Sequence, residues 1–65
     1  MGYKEARVSS GLTQKETAKA LGVSRATVAM WEAGKSNPTA EKLPALAKLY
    51  GRTIDELLRD VIVEV

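Results

Sequence analysis

The side chains most often used to make or break covalent bonds are missing from this sequence. Histidine and cysteine are both absent, which removes the usual general base, the thiol nucleophile and the nitrogen and sulfur ligands of transition metals. The serines have no base partner to activate them, so no enzyme, cofactor or metal site is expected. What remains is hydrogen bonding and charge. Arg25 and Thr27 follow Ser24 closely, Thr13 and Gln14 stand together earlier in the chain, and Lys35, Ser36 and Asn37 are consecutive. Guanidinium, ammonium, amide and hydroxyl groups are what a protein uses to grip a polyanion by its oxygens.

Two short helical patterns position these groups. Thr13 and Glu16 have capping-box spacing, in which the threonine oxygen accepts from the third helical amide and the glutamate reaches back to the cap. A helix is predicted over Gln14 to Leu21, with Ala18 and Leu21 on one face, and Gly22 can take the left-handed conformation that closes it. Ser24 is the next N-cap, and Val28 and Trp31 give the following run, Arg25 to Ala33, one apolar face. Two helices joined by Gly22, Val23 and Ser24 have the plan of a helix-turn-helix. Such a turn crosses the axes steeply and leaves the outer face of the second helix free, as in DNA-binding proteins that lay this helix in the major groove. The plainer reading is that the two helices simply pack, as in any small bundle. Trp31, three residues from Val28, belongs to the core rather than to a stacking surface.

The rest of the chain predicts three more helices. Tyr3 and Ala6, with Val8 or Ser10, form the inner side of a short first helix that Gly11 ends, and Leu12 is placed to staple onto Thr17 or Ala18. Gly34 closes the second helix of the pair, and Lys35 to Pro38 form a polar loop. Thr39 is the next cap, before a stripe of Leu43, Leu46, Ala47 and Tyr50 that Gly51 ends. Pro44 disturbs a helix counted from Thr39, so that helix either begins near Leu43 or has a distorted first turn. A second capping box, Thr53 to Glu56, opens a last short helix with Ile54, Leu57 and Leu58 inward. The fold class is all-α: one five-helix domain over residues 1–59, followed by a tail over 60–65. That tail, DVIVEV, reads either as a frayed end or extra helical turn, or as a strand that pairs with its counterpart in a second subunit.

With 65 residues the chain is one small domain with a core too small for a sizeable ligand pocket. Net charge is +2, unevenly spread: residues 1–35 hold six basic groups against three acidic ones, and the remainder four against five. The basic half contains the helix pair, which favours an oriented approach to a polyanion, although solvated surfaces often differ by as much. No apolar run is long enough to cross a bilayer and no apolar signal core follows Met1. A cytoplasmic protein with no membrane partner and no small-molecule substrate is expected.

The stretch GLTQKETAKALGVSRATVAMWEAGKSNPTAEKLPALAKLYGRTIDELL closely resembles the lambda-repressor-like, or XRE, helix-turn-helix family of bacterial and phage transcriptional regulators. GLTQ, the LGVS turn, WExGxxxP and the closing IDELL occur together and in register, and the likeness covers Tyr3 to Leu58. It implies a five-helix domain that binds double-stranded DNA as a homodimer, with Arg25 to Ala33 as recognition helix and repression as the output. It implies that Gln14 binds a phosphate and braces the base-reading groups, that Ser24, Arg25, Ala26, Thr27 and Met30 face the groove, and that Arg7 and Glu32 form a charged pair tying the first helix to the recognition helix. Four features depart from the family pattern: Thr17 and Arg52 replace aliphatic residues, Pro44 interrupts the fourth helix, and the first helix lacks its leading turn. A looser, less stable domain is expected from them.

A helical wheel centred on Val28 puts Trp31 and Glu32 inside and Ala26, Ala29, Met30 and Ala33 outside. On that face Arg25 is expected to read a guanine through O6 and N7, while Ala26, Ala29 and Met30 meet thymine methyls. Thr27 is assigned to a phosphate, as are Thr13, Gln14 and Ser24 at the two helix N-termini and Lys35, Ser36 and Asn37 on the far side. Two other readings stay open: a protein-interaction module that has lost DNA binding, and the DNA-binding half of a larger regulator.

Overall fold

The computed structural model describes residues 2–58, so the tail over 60–65, with its strand and frayed-end readings, lies outside the described residues. Five helices follow one another: α1 over Tyr3–Ser9, α2 over Gln14–Leu21, α3 over Arg25–Ala33, α4 over Lys42–Tyr50 and α5 over Ile54–Leu58. α2 packs on α3, α4 backs α2 and carries α5, and α1 lies against α3 and α4. None of the described helices is long and apolar enough to cross a membrane.

The core is assembled from every element. Tyr3 and Ala6 come from α1, Ala18 and Leu21 from α2, Val28 and Trp31 from α3, Leu46, Ala47 and Tyr50 from α4, and Leu57 from α5. Leu12, Val23, Leu43, Leu49, Ile54 and Leu58 pack around them, half-buried. These are mostly the i, i+3 and i+4 positions of each helix, because only residues on one stripe can reach a shared centre.

Val8 and Ser10 do not join α1's inner side. Val8 is 60% exposed, and Ser10 is an exposed C-cap whose amide and hydroxyl both bond within α1. α1 ends at Ser9, so no further turn carries Ser10 inward, and Val8 falls on the side of the helix opposite Ala6. Arg7 is the inward neighbour instead, with its side chain 12% exposed.

The Thr39 region resolves the difficulty at Pro44. The Thr39 carbonyl accepts from the amides of Lys42 and Leu43 at 3.0 and 2.9 Å, so Thr39 closes a single turn that leads into α4. α4 itself begins at Lys42, one residue before Leu43, and Pro44 is its exposed third residue. With no amide to continue the ladder that the Leu43-to-Thr39 bond begins, proline interrupts this first turn, and the regular helix is counted only from Lys42. Thr17 is wholly buried, and its oxygen receives the Tyr50 hydroxyl at 3.4 Å. Burial pushes the Tyr50 phenol above its ordinary value, so the donor keeps its proton.

Candidate nucleic-acid interface

The helix pair is built by the local signals of its own sequence. Thr13 Oγ1 accepts from the Glu16 amide at 3.0 Å and Glu16 returns the contact, accepting from the Thr13 amide at 2.9 Å. The Thr13 amide, then its hydroxyl, hold the Glu16 carboxyl below its ordinary value. Gly22 at φ 70° closes α2, and Ser24 opens α3 by accepting from the Thr27 amide at 3.1 Å. Gly34 at φ 77° closes α3. Both glycines stand where a side chain would strain the left-handed backbone, so the lengths of the helices and of the turn between them are set by residue type.

α3 turns Val28 and Trp31 into the core and leaves the other side free. Arg25, Ala26 and Met30 are exposed, Met30 at 44%, while Ala29 and Thr27 are half-buried. The outer face of α3 is therefore small and apolar with one cation at its N-terminal end. Arg25 makes no hydrogen bond or ion pair with another described residue. Ser24 Oγ and Thr27 Oγ1 lie 2.9 Å apart, which couples the two hydroxyls. They form one polar group beside Arg25 rather than two independent ones.

Two flanks frame this face. At the N-terminus of α2 the amides of Gln14 and Lys15 have no acceptor among the described residues, since Thr13 serves only those of Glu16 and Thr17. Unpaired helix N-terminal amides attract phosphate oxygens. On the other flank Lys35 and Asn37 are exposed and Ser36 is half-buried. The amides of Lys35 and Ser36 both bond to the Met30 carbonyl, so these residues offer side chains, not backbone, to a ligand. Among the described residues no group of histidines, cysteines or carboxylates could hold a metal ion.

Arg7 and Glu32 meet across the domain. Arg7 Nε donates to Glu32 Oε2 at 2.6 Å and Nη2 to Oε1 at 3.4 Å, with the Glu32 side chain only 6% exposed. The hydrogen bond to Glu32 raises the Arg7 pKa further, so the guanidinium stays charged. Its Nη1 donates to the Leu12 carbonyl at 2.8 Å and so holds the α1–α2 loop. Two further ties have no counterpart in the sequence reading. Gln14 Nε2 donates to Glu32 Oε1 at 2.9 Å, and Lys42 Nζ caps α2 by donating to the Leu21 carbonyl at 3.0 Å. Their partners stand 18 and 21 positions away, beyond the reach of any spacing rule.

Comparison with known proteins agrees with this geometry. Residues 4–57 match the helix-turn-helix family. The chain is 42% identical over 55 residues to the transcriptional activator BcrR of Enterococcus faecalis, covering 85% of this chain and 27% of the relative. It is 39% identical over 57 residues to the cryptic phage CTXphi transcriptional repressor RstR of Vibrio cholerae, covering 88% of this chain and 51% of the relative. An uncharacterised regulator from Archaeoglobus fulgidus is 37% identical over 54 residues, covering 83% and 77%. The chain thus spans about a quarter and about half of the two named relatives. No solved structure matches it significantly. On its motif, its five helices and these matches together, the chain belongs to the XRE-type helix-turn-helix family of DNA-binding transcriptional regulators.

Proposed function

We propose that this domain binds double-stranded DNA sequence-specifically and as a homodimer, with α3 in the major groove, and so regulates transcription. The observation that carries the reading is the outer face of α3, where Arg25, without a partner among the described residues, leads into exposed Ala26 and Met30. Arg25 reads a guanine in bidentate fashion, and Ala26, Ala29 and Met30 lie against thymine methyls. Phosphates are taken by Thr13, Gln14, Ser24 and Thr27 on one flank and by Lys35, Ser36 and Asn37 on the other, which fixes the register of α3. The Arg7–Glu32 pair holds α1 against α3 behind this surface.

One module makes few contacts, so useful affinity calls for two copies on half-sites about 34 Å apart. The proposed function is by binding alone and in the cytoplasm, and the lack of histidine and cysteine supports a role without catalysis. The named relatives include an activator and a repressor. Repression by occupying the operator needs nothing beyond this domain, and it is the output proposed here.

Selection of bound sites from a random DNA library tests the reading. Enrichment of a paired motif with a fixed guanine in each half supports it. A chain that retains no DNA at low salt instead marks α3's apolar outer face as a protein-docking surface.

A further inference from the structure

Glu32 lies near the end of α3, yet its carboxylate is reached from two other helices. Arg7 of α1 donates to both oxygens, and Gln14 of α2 donates from Nε2 to Oε1 at 2.9 Å. An ionised carboxylate only accepts hydrogen bonds, so the nitrogen of the Gln14 amide must face it. The flipped amide would set two oxygens against each other. A glutamine alone at a helix N-terminus presents carbonyl and amino group interchangeably; this one has a single polarity. Arg7 makes the arrangement tolerable beside DNA, because its guanidinium balances the charge that Glu32 would otherwise set behind the phosphate-facing groups.

We propose that Glu32 is a positioning residue for DNA binding, holding the Gln14 side chain with one N–H turned inward so that its second N–H and its carbonyl meet the DNA in a fixed order. The proposal rests on the DNA-binding reading above. It assigns to Glu32 a second task besides pairing with Arg7, carried out through Gln14.

A double-mutant cycle on DNA affinity tests it, using wild type, Gln14→Ala, Glu32→Gln and the double variant on a selected site. Glu32→Gln keeps the shape but can offer either its own oxygen or its own amino group, so the Gln14 polarity is no longer set. Each single variant should weaken binding by up to roughly tenfold, the worth of one such hydrogen bond, and in the double variant the loss should be clearly smaller than the product of the two single losses, the part that remains beyond Gln14→Ala coming from the loosened Arg7. Losses that multiply mean that Glu32 acts only by holding α1 to α3, and overturn the proposal. Because Glu32→Gln also loosens Arg7, the wild-type protein supplies a second measurement without DNA. In NMR spectra one Gln14 side-chain amide proton should lie downfield of its ordinary position, and should stay there in Arg7→Lys. A pair at ordinary positions overturns the proposal. Absence of salt-dependent DNA binding by wild type overturns the DNA reading and this inference with it, whereas binding with multiplying losses overturns the inference alone.

Discussion

Arg25 is the strong hydrogen-bond donor on an outer α3 face otherwise built of alanine and methionine, so under the proposed function base discrimination would rest heavily on it. Replacing it with alanine should cost about 1 to 3 kcal/mol of binding and relax preference at one base pair of each half-site. Site selection with the Arg25→Ala protein checks this; an equal loss on all sequences would mean that Arg25 grips the backbone instead. Arg7 works on stability. With the Arg7–Glu32 pair almost fully enclosed, Arg7→Met leaves an uncompensated charge and should destabilise the domain by about 3 kcal/mol in urea unfolding. Replacing Glu32 as well should restore part of that loss, because the cost lies in the orphaned carboxylate. The pair was expected from family likeness alone. Two charges 25 positions apart carry no periodic signal that could have joined them.

At the scale of the helices, the caps decide where α2 and α3 begin and end. Ser24→Ala removes both the acceptor for the Thr27 amide and the partner of the Thr27 hydroxyl. It should cost about 1 kcal/mol of stability, and DNA binding should fall with it because the start of α3 frays. Gly22→Ala meets open space around the new methyl but must keep φ near 70°, so a cost of about 1 kcal/mol should come from the backbone alone. Glu16 adds a pH dependence of definite sign. Its folded pKa lies below the ordinary value, so its stabilising contribution is fully present above the ordinary carboxylate range and is lost as pH falls through the depressed value. The urea midpoints of wild type and Glu16→Ala should therefore differ at neutral pH and converge in acid; a gap that persisted there would show that the cap does not depend on the charge. The caps themselves were legible beforehand, since a cap and its amide stand within three residues, whereas the contact between the Ser24 and Thr27 hydroxyls was not. Val8 was not: which side of α1 is inward depends on where that helix docks.

For the whole molecule the expected behaviour is that of a small basic module gripping phosphates. Affinity should fall linearly on a log–log plot against salt, and a protected stretch should span two half-sites about 34 Å apart. Weak salt dependence or a single half-site footprint would count against a dimer on DNA. With so spare an outer face on α3, the proposed function would leave the rest of the discrimination to sequence-dependent DNA shape and half-site spacing. The sequence by itself determined the five helices, the bounds of α2 and α3 and most of the core stripe. Each depends on interactions within about one turn, where residue type and spacing dictate geometry. Only the tertiary structure decided that α1 turns Arg7 rather than Val8 inward, that Gln14 meets Glu32, that Tyr50 satisfies Thr17 and that Lys42 caps α2. Those contacts join residues 18 to 33 positions apart. Helix packing angles bring them together, and packing answers to the fit of the whole core rather than to any one segment.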